Sequence, residues 1–302
     1  MQQTSAERPA SGWLEAFADP VGAGAGIDAS LRAFRLLLLV HGAVRLWDRY
    51  LVEGGHPLHL AMALVLTLAA AASILPRFAG AAVFAALWVV GVEVAVTHGP
   101  ANHVWAELML LGLFALLDPS RDDEALWLVC TLRWMVALLL FWAGVQKLLY
   151  GGYFRAEFLC WMIADRPAFA IALGWLLPAD ELARLTSASA TAVGSGPYRT
   201  SSLPLILASN AVWLAELVLP ALLFVRRTRM LGAVAATLFV LSIQLVAREV
   251  MFGLLYSQLV LLTLPGDGYR RIAPLYAAAY AYLALGLLGL VPLDWLVKRG
   301  GL

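Results

Sequence analysis

The sequence is short of charge and of cysteine. Only 14% of its 302 residues are Asp, Glu, Lys or Arg, with a net charge of +1, whereas a soluble domain carries about 25% charged residues. A net charge this close to zero gives no positive surface potential that would attract a nucleic acid, so no nucleic acid is predicted as a partner. The two cysteines, Cys130 and Cys160, both lie in apolar surroundings and are too few for a disulfide framework. These shortages exclude the disordered, the fibrous and the disulfide-rich secreted classes.

Apolar residues, by contrast, make up 62% of the chain, and the mean hydropathy is +0.81. A soluble domain is nearer to about 45–50% apolar, so one soluble core cannot enclose these side chains. Their runs are continuous and rich in Leu and Ala, whereas the strands of a membrane barrel alternate apolar and polar residues. The composition therefore predicts an all-α polytopic membrane protein, a bundle of helices in the lipid bilayer.

About nine runs approach the roughly 20 residues that a membrane-crossing helix needs. They are Leu31–Leu51, His56–Leu75, Phe78–His98, His103–Leu117, Ala125–Gln146, Leu203–Val225, Met230–Ala247, Val250–Leu264 and Ile272–Leu293. The fourth and the eighth are short, which suits tilted or partly interfacial helices. A tenth run, Glu157–Leu177, is interrupted by Asp165, Arg166 and Pro167, which favours an amphipathic or re-entrant element.

The chain is predicted to consist of an N-terminal tail and a single transmembrane domain. Residues 1–30 lack a basic start followed by an apolar run, so they are predicted to be a cytoplasmic tail rather than a signal peptide. Residues 31–297 are predicted to form a single transmembrane domain with a flexible loop at about 179–202, part of which is rich in Ser, Ala, Thr and Gly.

If the N-terminus lies in the cytoplasm, most arginines of the short loops also lie on the cytoplasmic side, as the positive-inside rule expects. They are Arg77, Arg121, Arg226, Arg227, Arg229, Arg270 and Arg271. This bias predicts an integral protein of a plasma membrane of bacterial type, with its N-terminus in the cytoplasm and its C-terminus outside. On that topology His103 and Lys147 both lie at the outer face.

Several ionisable residues lie within the predicted spans, where charge is costly and marks a cavity, a partner or a pathway. They are Arg35, His41, Arg45, Glu93, Glu107, Arg133, Lys147 and Glu216. The glutamates are natural counter-charges for the arginines and the lysine. The alternative is that these residues only pair within the bundle or extend to the headgroups.

Lys147 and His103 are the two residues with the clearest chemical interpretation. Lys147 ends an apolar run, and a lysine held away from water loses its preference for the charged form and becomes a usable base. His103 follows Asn102, a good N-cap, so its ring lies at a helix N-terminus that favours the neutral imidazole. A neutral imidazole can donate one hydrogen bond to an anion. The alternatives are a lysine that reaches the headgroups and an interfacial histidine.

No motif for a nucleotide, a metal ion or a nucleophilic serine is found, and no metal is predicted. A haem held by histidines of two different helices stays an alternative.

Four stretches of the sequence carry a resemblance in the same order and at similar spacing. They are Asp19-Pro20 with Leu31–Arg35, Asn102–Leu108 with Asp118, Ala143–Leu148 (AGVQKL) with Gly152-Tyr153, and Thr228-Arg229 with the Phe239–Pro265 run. They resemble the membrane region of vitamin K-dependent gamma-carboxylase and its bacterial relatives, the horizontally transferred transmembrane (HTTM) domain family. The AGVQKL and Asn102-His103 elements are the specific ones.

The resemblance implies a quinol-dependent enzyme, a carbon–carbon lyase or an oxidoreductase. It implies that Lys147 deprotonates a reduced quinone of the vitamin K or menaquinol type, that His103 stabilises the anion and that Asn102 assists. It also implies dioxygen and carbon dioxide as reactants, and an oxygenated product that removes a proton from a glutamate before carboxylation. The residues expected to contact the quinone are Arg35, Trp105, Trp142, Tyr153, Glu216 and Gln244.

Two positions depart from the family pattern. Gln146 replaces the first lysine of the pair, and Gln244 replaces a later histidine. The sequence also has no counterpart of the lumenal domain that presents glutamates in the carboxylases, so a separate substrate protein or soluble partner is expected. A non-catalytic quinone- or lipid-binding membrane protein and a small transporter remain alternative functions.

Overall fold

The computed structural model describes residues 26–52, 54–97, 102–187, 198–225, 227–264 and 267–293, without the side chains of Val52 and Asn102. The predictions for the tail before residue 26, for Asp19-Pro20, for the Asn102 side chain and for the C-terminus lie outside the described residues.

The described chain is all-α, as predicted, with twelve α-helices and no strand. The helices are α1 Ile27–Val52, α2 Pro57–Ala72, α3 Ala79–Val96, α4 Asn102–Leu116, α5 Asp122–Tyr150, α6 Glu157–Asp165, α7 Pro167–Leu173, α8 Ala179–Ser187, α9 Leu203–Phe224, α10 Arg229–Ala247, α11 Val250–Leu261 and α12 Gly268–Leu287. Short 3-10 helices precede α3 at Pro76–Phe78 and follow α7 at Gly174–Leu176.

Among the described residues, four helical segments are long and apolar enough to cross a membrane. They are Pro76–Val96, Asp122–Tyr150, Leu203–Phe224 and Arg229–Ala247. Four shorter apolar helices are Pro57–Ala72, His103–Leu116, Pro167–Leu176 and Val250–Leu261. Each of the nine predicted runs overlaps one of the observed helices, because long runs of Leu and Ala both favour a helix and must be buried or covered by lipid.

The ends of α5 are set by charge and by one glycine. Asp122, Asp123 and Glu124 lie in its first turn and Lys147 in its last, so each charge complements the helix dipole. Gly151 ends the helix in the left-handed region with a φ of 71°, and its N–H donates to the Lys147 carbonyl at 3.1 Å. This cap fixes the position of Lys147 beside the turn that follows.

The helices pack into one large bundle with a smaller satellite. In the bundle α1 packs against α2 and α12, α3 against α2 and α4, and α9 against α5 and α10. The satellite core joins α6, α7 and α8 to the start of α9, with Cys160, Ile163 and Leu185 fully buried.

The segment predicted as a loop at about 179–202 begins with a helix. α8 covers Ala179–Ser187, and the fully buried Leu185 packs it onto the satellite core. The Ser201 and Thr200 hydroxyls donate hydrogen bonds to the Glu181 carboxylate, and these bonds lower the pKa of that carboxyl. Leu182 and Leu185 are three residues apart and therefore form an apolar face on α8. The prediction of a loop rests on the Ser- and Ala-rich residues that follow this helix.

Candidate functional site

Lys147 and Glu216 form an ion pair between α5 and α9. The Lys147 Nζ atom lies 2.8 Å from each oxygen of the Glu216 carboxylate. The exposed fractions of the two side chains are 19% and 7%, so the pair is largely removed from water. The two helices approach closely at Gly144, where a Cβ atom would lie 2.9 Å from the Leu217 side chain and 3.1 Å from the Trp213 carbonyl oxygen.

A surface groove of about 350 Å³ opens beside this pair. Its lining residues come from the end of α5, the turn that follows and the start of α6, and they are Ala143, Gln146, Lys147, Tyr150, Gly152, Tyr153 and Phe158. The Lys147 Nζ atom lies 5.3 Å from the centre of the Tyr153 ring, within the range of a cation–π contact. The Tyr153 and Phe158 rings stack at 4.9 Å with an interplanar angle of 22°. The groove therefore combines an ion pair with an aromatic wall.

The turn that carries Tyr153 is held by α9. The Ser209 hydroxyl donates to the Tyr153 carbonyl at 2.7 Å, and the Asn210 amide donates to the Phe154 carbonyl at 3.1 Å. Because Glu216 lies on the same helix, α9 positions both the counter-charge and the aromatic wall relative to Lys147.

A second charged cluster lies in the interior of the bundle. Arg45 on α1 donates two hydrogen bonds to Glu93 on α3, at 2.5 and 2.7 Å, and its Nε atom donates to Glu107 on α4 at 2.9 Å. Arg49 adds a contact of 2.9 Å to Glu93. The two guanidinium groups balance the two carboxylates, so the cluster is close to neutral overall.

The structure places His103 with this interior cluster. Arg45 and Glu93 are the electrostatic neighbours of its ring, whereas His103 is not among the described residues that line the groove. The expectation that Lys147 and His103 share one pocket is therefore not met. The physical reason is helix packing, because α4 packs against α3, whereas Lys147 lies on the face of α5 that meets α9.

The other expected contacts are dispersed. Trp105 and Trp142 are exposed. Arg35 is half-buried in the N-terminal half of α1, whereas Arg45 lies in the C-terminal half, and Asp118 is the electrostatic neighbour of Arg35. The N–H and hydroxyl of Ser120 lower the pKa of the Asp118 carboxyl by hydrogen bonding.

Gln244 is buried where α10 meets α11. Its side chain fills the space that a Cβ atom of Gly253 would need, and its Oε1 atom has no hydrogen-bond partner among the described residues. Of the six residues expected to contact a quinone, the structure brings Tyr153 and Glu216 to Lys147.

Sequence reasoning missed one aromatic residue of the groove, Phe158, and the close helix contact at Gly144 beside the ion pair. Phe158 is separated from Tyr153 by an irregular turn in which Ala156 has a φ of 58°, so no helical spacing links the two rings. Gly144 carried a signal, since a glycine inside an apolar helix often marks a close helix contact.

Comparisons of the chain with family models, with curated proteins and with solved structures find no match.

Proposed function

We propose that the chain is an integral membrane protein with about nine transmembrane helices and that it acts on a reduced quinone at the Lys147 groove, in the manner of the HTTM and gamma-carboxylase family. The membrane assignment is supported by four long apolar helices and by large apolar side chains exposed on the outside of the bundle. Examples are Leu68, Trp88, Leu238 and Leu275.

The observation that carries the proposal is the Lys147–Glu216 ion pair at the edge of an aromatic groove. A quinone headgroup is a flat ring with polar oxygens, and ligand pockets usually begin at about 300 Å³, so a groove of about 350 Å³ is large enough for a headgroup. The stacked rings of Tyr153 and Phe158 supply a flat apolar wall. Lys147 and Gln146 would hold the oxygens, and the isoprenoid tail would extend along the bilayer. The residues present therefore fit the group.

The paired state of Lys147 determines how it can act as a base. An ammonium group has no lone pair, so Lys147 must first pass a proton across the 2.8 Å contact to Glu216. The neutral amine then accepts a proton from an acidic hydroxyl in the groove. The ammonium that this transfer restores stabilises the resulting negative charge. Glu216 is in this account the residue that makes the lysine available.

A bound reduced quinone would supply the acidic hydroxyl and the electrons for dioxygen. Carboxylation of an acceptor by carbon dioxide is the coupled step that the resemblance suggests, with the acceptor carried by a separate substrate protein or soluble partner. His103 and Asn102 belong to this proposal only through the resemblance, because His103 lies with the Arg45 cluster.

A second candidate function is favoured by the same ion pair. A lysine neutralised by a carboxylate at 2.8 Å is also suited to holding a polar headgroup without chemistry. A non-catalytic quinone- or lipid-binding protein is therefore the alternative.

Extraction of the purified protein and mass spectrometry of the bound lipids tests the proposed ligand. We expect a quinone to copurify with the wild type and to be depleted in a variant that fills the groove, Gly152→Trp. The matched control is Gly112→Trp on α4, where nothing lies within 4 Å of the added Cβ position. Equal quinone content in the wild type and both variants, or no quinone in any of them, would contradict the proposal that the groove binds a quinone.

A further inference from the structure

A chain of hydrogen bonds between buried side chains links α12 and α11 to α1. The Tyr269 hydroxyl donates to the Gln258 Oε1 atom at 2.8 Å, and the Gln258 Nε2 atom donates to the Tyr280 oxygen at 2.7 Å. The Tyr280 oxygen in turn lies 3.0 Å from the His41 Nδ1 atom. All four side chains are almost completely buried.

The directions of these hydrogen bonds are assigned from the groups that can only donate or only accept. The Gln258 Nε2 atom also lies 3.0 Å from the Leu254 carbonyl oxygen, which can only accept, so this end of the amide is the NH₂ group. Its second proton goes to Tyr280. If the Tyr280 oxygen accepted from both Gln258 and His41, its own buried proton would have no acceptor among the described residues, so we assign this proton to the His41 Nδ1 atom. His41 is therefore neutral, and its own proton lies on the Nε2 atom.

This Nε2–H group is a buried donor that lacks an acceptor. His41 is fully buried, and its Nε2 atom has no hydrogen-bond partner among the described residues. Buried donors are almost always hydrogen-bonded, because an unpaired one retains the full cost of its desolvation. The unpaired donor points to an acceptor that is not among the described residues, and a bound molecule would supply one.

The surroundings of His41 define the kind of group that fits. His41 and Arg45 lie four residues apart on one face of α1, and Arg45 and His103 are the electrostatic neighbours of the imidazole. The Arg45 donors are directed to Glu93 and Glu107, whose charges they balance together with Arg49. Because the charges around His41 balance, they do not favour the binding of an ion. The group that best fits a single N–H donor there is a neutral hydrogen-bond acceptor.

We propose that the His41 Nε2–H group is the donor of a second binding site, in the interior of the bundle and apart from the Lys147 groove, for a neutral acceptor oxygen. Two sources supply this chemistry, an internal water molecule and the carbonyl oxygen of a membrane-soluble ligand. Either one completes the polar chain between Tyr269 and the Arg45 cluster. The proposal does not depend on the function of the groove.

Solid-state NMR of the full chain in lipid nanodiscs, labelled with ¹⁵N-histidine, tests this site. The chain has five histidines, and the His41 signals are those lost in His41→Gln. We expect an unprotonated Nδ1 atom and a protonated Nε2 atom with the shift of a hydrogen-bonded N–H. Tyr280→Phe removes the donor to Nδ1 and should change these signals. Tyr276→Phe, a neighbouring buried tyrosine on α12, should leave them unchanged.

The source of the acceptor follows from the contacts of the Nε2 proton. A cross-peak to water supports an internal water molecule, and a cross-peak to added ¹³C-carbonyl menaquinone supports a carbonyl ligand. A protonated Nδ1 atom, an imidazolium or an Nε2–H without a hydrogen-bonded shift would overturn the proposal. If His41→Gln does not fold, His41 is the histidine whose signals respond to Tyr280→Phe and not to Tyr276→Phe. The absence of any such histidine overturns the proposal equally.

Discussion

Lys147 on α5 and Glu216 on α9 are joined by an ion pair in which the Nζ atom lies 2.8 Å from both carboxylate oxygens. This contact connects two helices that are long and apolar enough to cross a membrane, at the edge of the groove lined by Tyr153. Whatever binds in the groove meets a positive charge whose strength is set by Glu216.

Glu216→Gln should lower the stability of the protein. The change leaves the Lys147 ammonium without its counter-charge, and breaking a buried pair costs about 3–5 kcal/mol in general. Because Lys147 is 19% exposed, we expect a loss toward the lower end of this range. The measurement is the melting temperature in detergent. Glu249→Gln is the control, since its more exposed pair with Arg166 should contribute about 0–1 kcal/mol. Equal melting temperatures for the two variants would mean that Glu216 is solvated.

Gly42→Ala should disrupt the interior charged cluster. A Cβ atom at position 42 would lie 2.2 Å from the Glu107 Oε1 atom and 2.9 Å from Leu66, so the Glu107 carboxylate, whose Oε2 atom accepts from Arg45, must shift. Overpacking of this kind costs about 1–3 kcal/mol. Gly112→Ala is the matched control in α4, where a Cβ atom meets nothing within 4 Å and the better helix propensity should stabilise by about 0.5–1 kcal/mol. Shifts of the same sign in thermal unfolding would contradict the packing described for Gly42.

Arg45→Lys should destabilise the bundle although it preserves the charge. The guanidinium group reaches Glu93 through two nitrogens and Glu107 through a third, which the single ammonium of lysine cannot reproduce. We expect a loss of about 2–4 kcal/mol, close to that of a broken buried pair. Arg271→Lys is the control because the Arg271 side chain is 76% exposed and forms an ion pair with Asp267, four residues away on the chain. A variant as stable as the wild type would show that one carboxylate is not paired with Arg45.

The ends of α5 should be reachable from opposite sides of the membrane. The helix has 29 residues and therefore extends about 43 Å, more than the hydrocarbon core of about 30 Å. In a background without Cys130 and Cys160, Tyr150→Cys should react with an impermeant maleimide from outside, since Tyr150 is 86% exposed. Ser120→Cys should react only after the membrane is made permeable. Labelling of both cysteines from one side would exclude α5 as a membrane-crossing helix.

The sequence predicts the helices well because their signal is local. The Leu203 and Val250 starts coincide with observed helix starts, and the Phe78 and Met230 starts differ by one residue, since an apolar run changes to polar or turn-forming residues close to the helix end. The start at Ile272 is too late because the exposed Arg270 and Arg271 already belong to α12.

Contacts between helices are the part that a single sequence does not contain. Glu216 is recognisable as a counter-charge, but its choice of Lys147 over the arginines depends on the packing of α5 on α9, 69 residues apart in the chain. The same holds for His103. It lies in the first turn of α4, as the sequence predicts, but its electrostatic neighbour is Arg45 rather than Lys147. The chain of Tyr269, Gln258, Tyr280 and His41 likewise joins three helices and has no local pattern.

The most direct test of a reactive Lys147 groove is oxygen uptake by the purified protein in nanodiscs with reduced menaquinone, corrected for protein-free nanodiscs. We expect uptake by the wild type and by Lys298→Ala, which changes the only other lysine of the chain. Lys147→Ala should lose at least about 10²-fold in rate, the usual contribution of a positioned base. Lys147→Arg should be equally slow, because a guanidinium group keeps its charge but cannot release its proton. Equal uptake by the wild type and Lys147→Ala, or no uptake by any of them, would contradict the enzymatic account and leave a binding protein in its place.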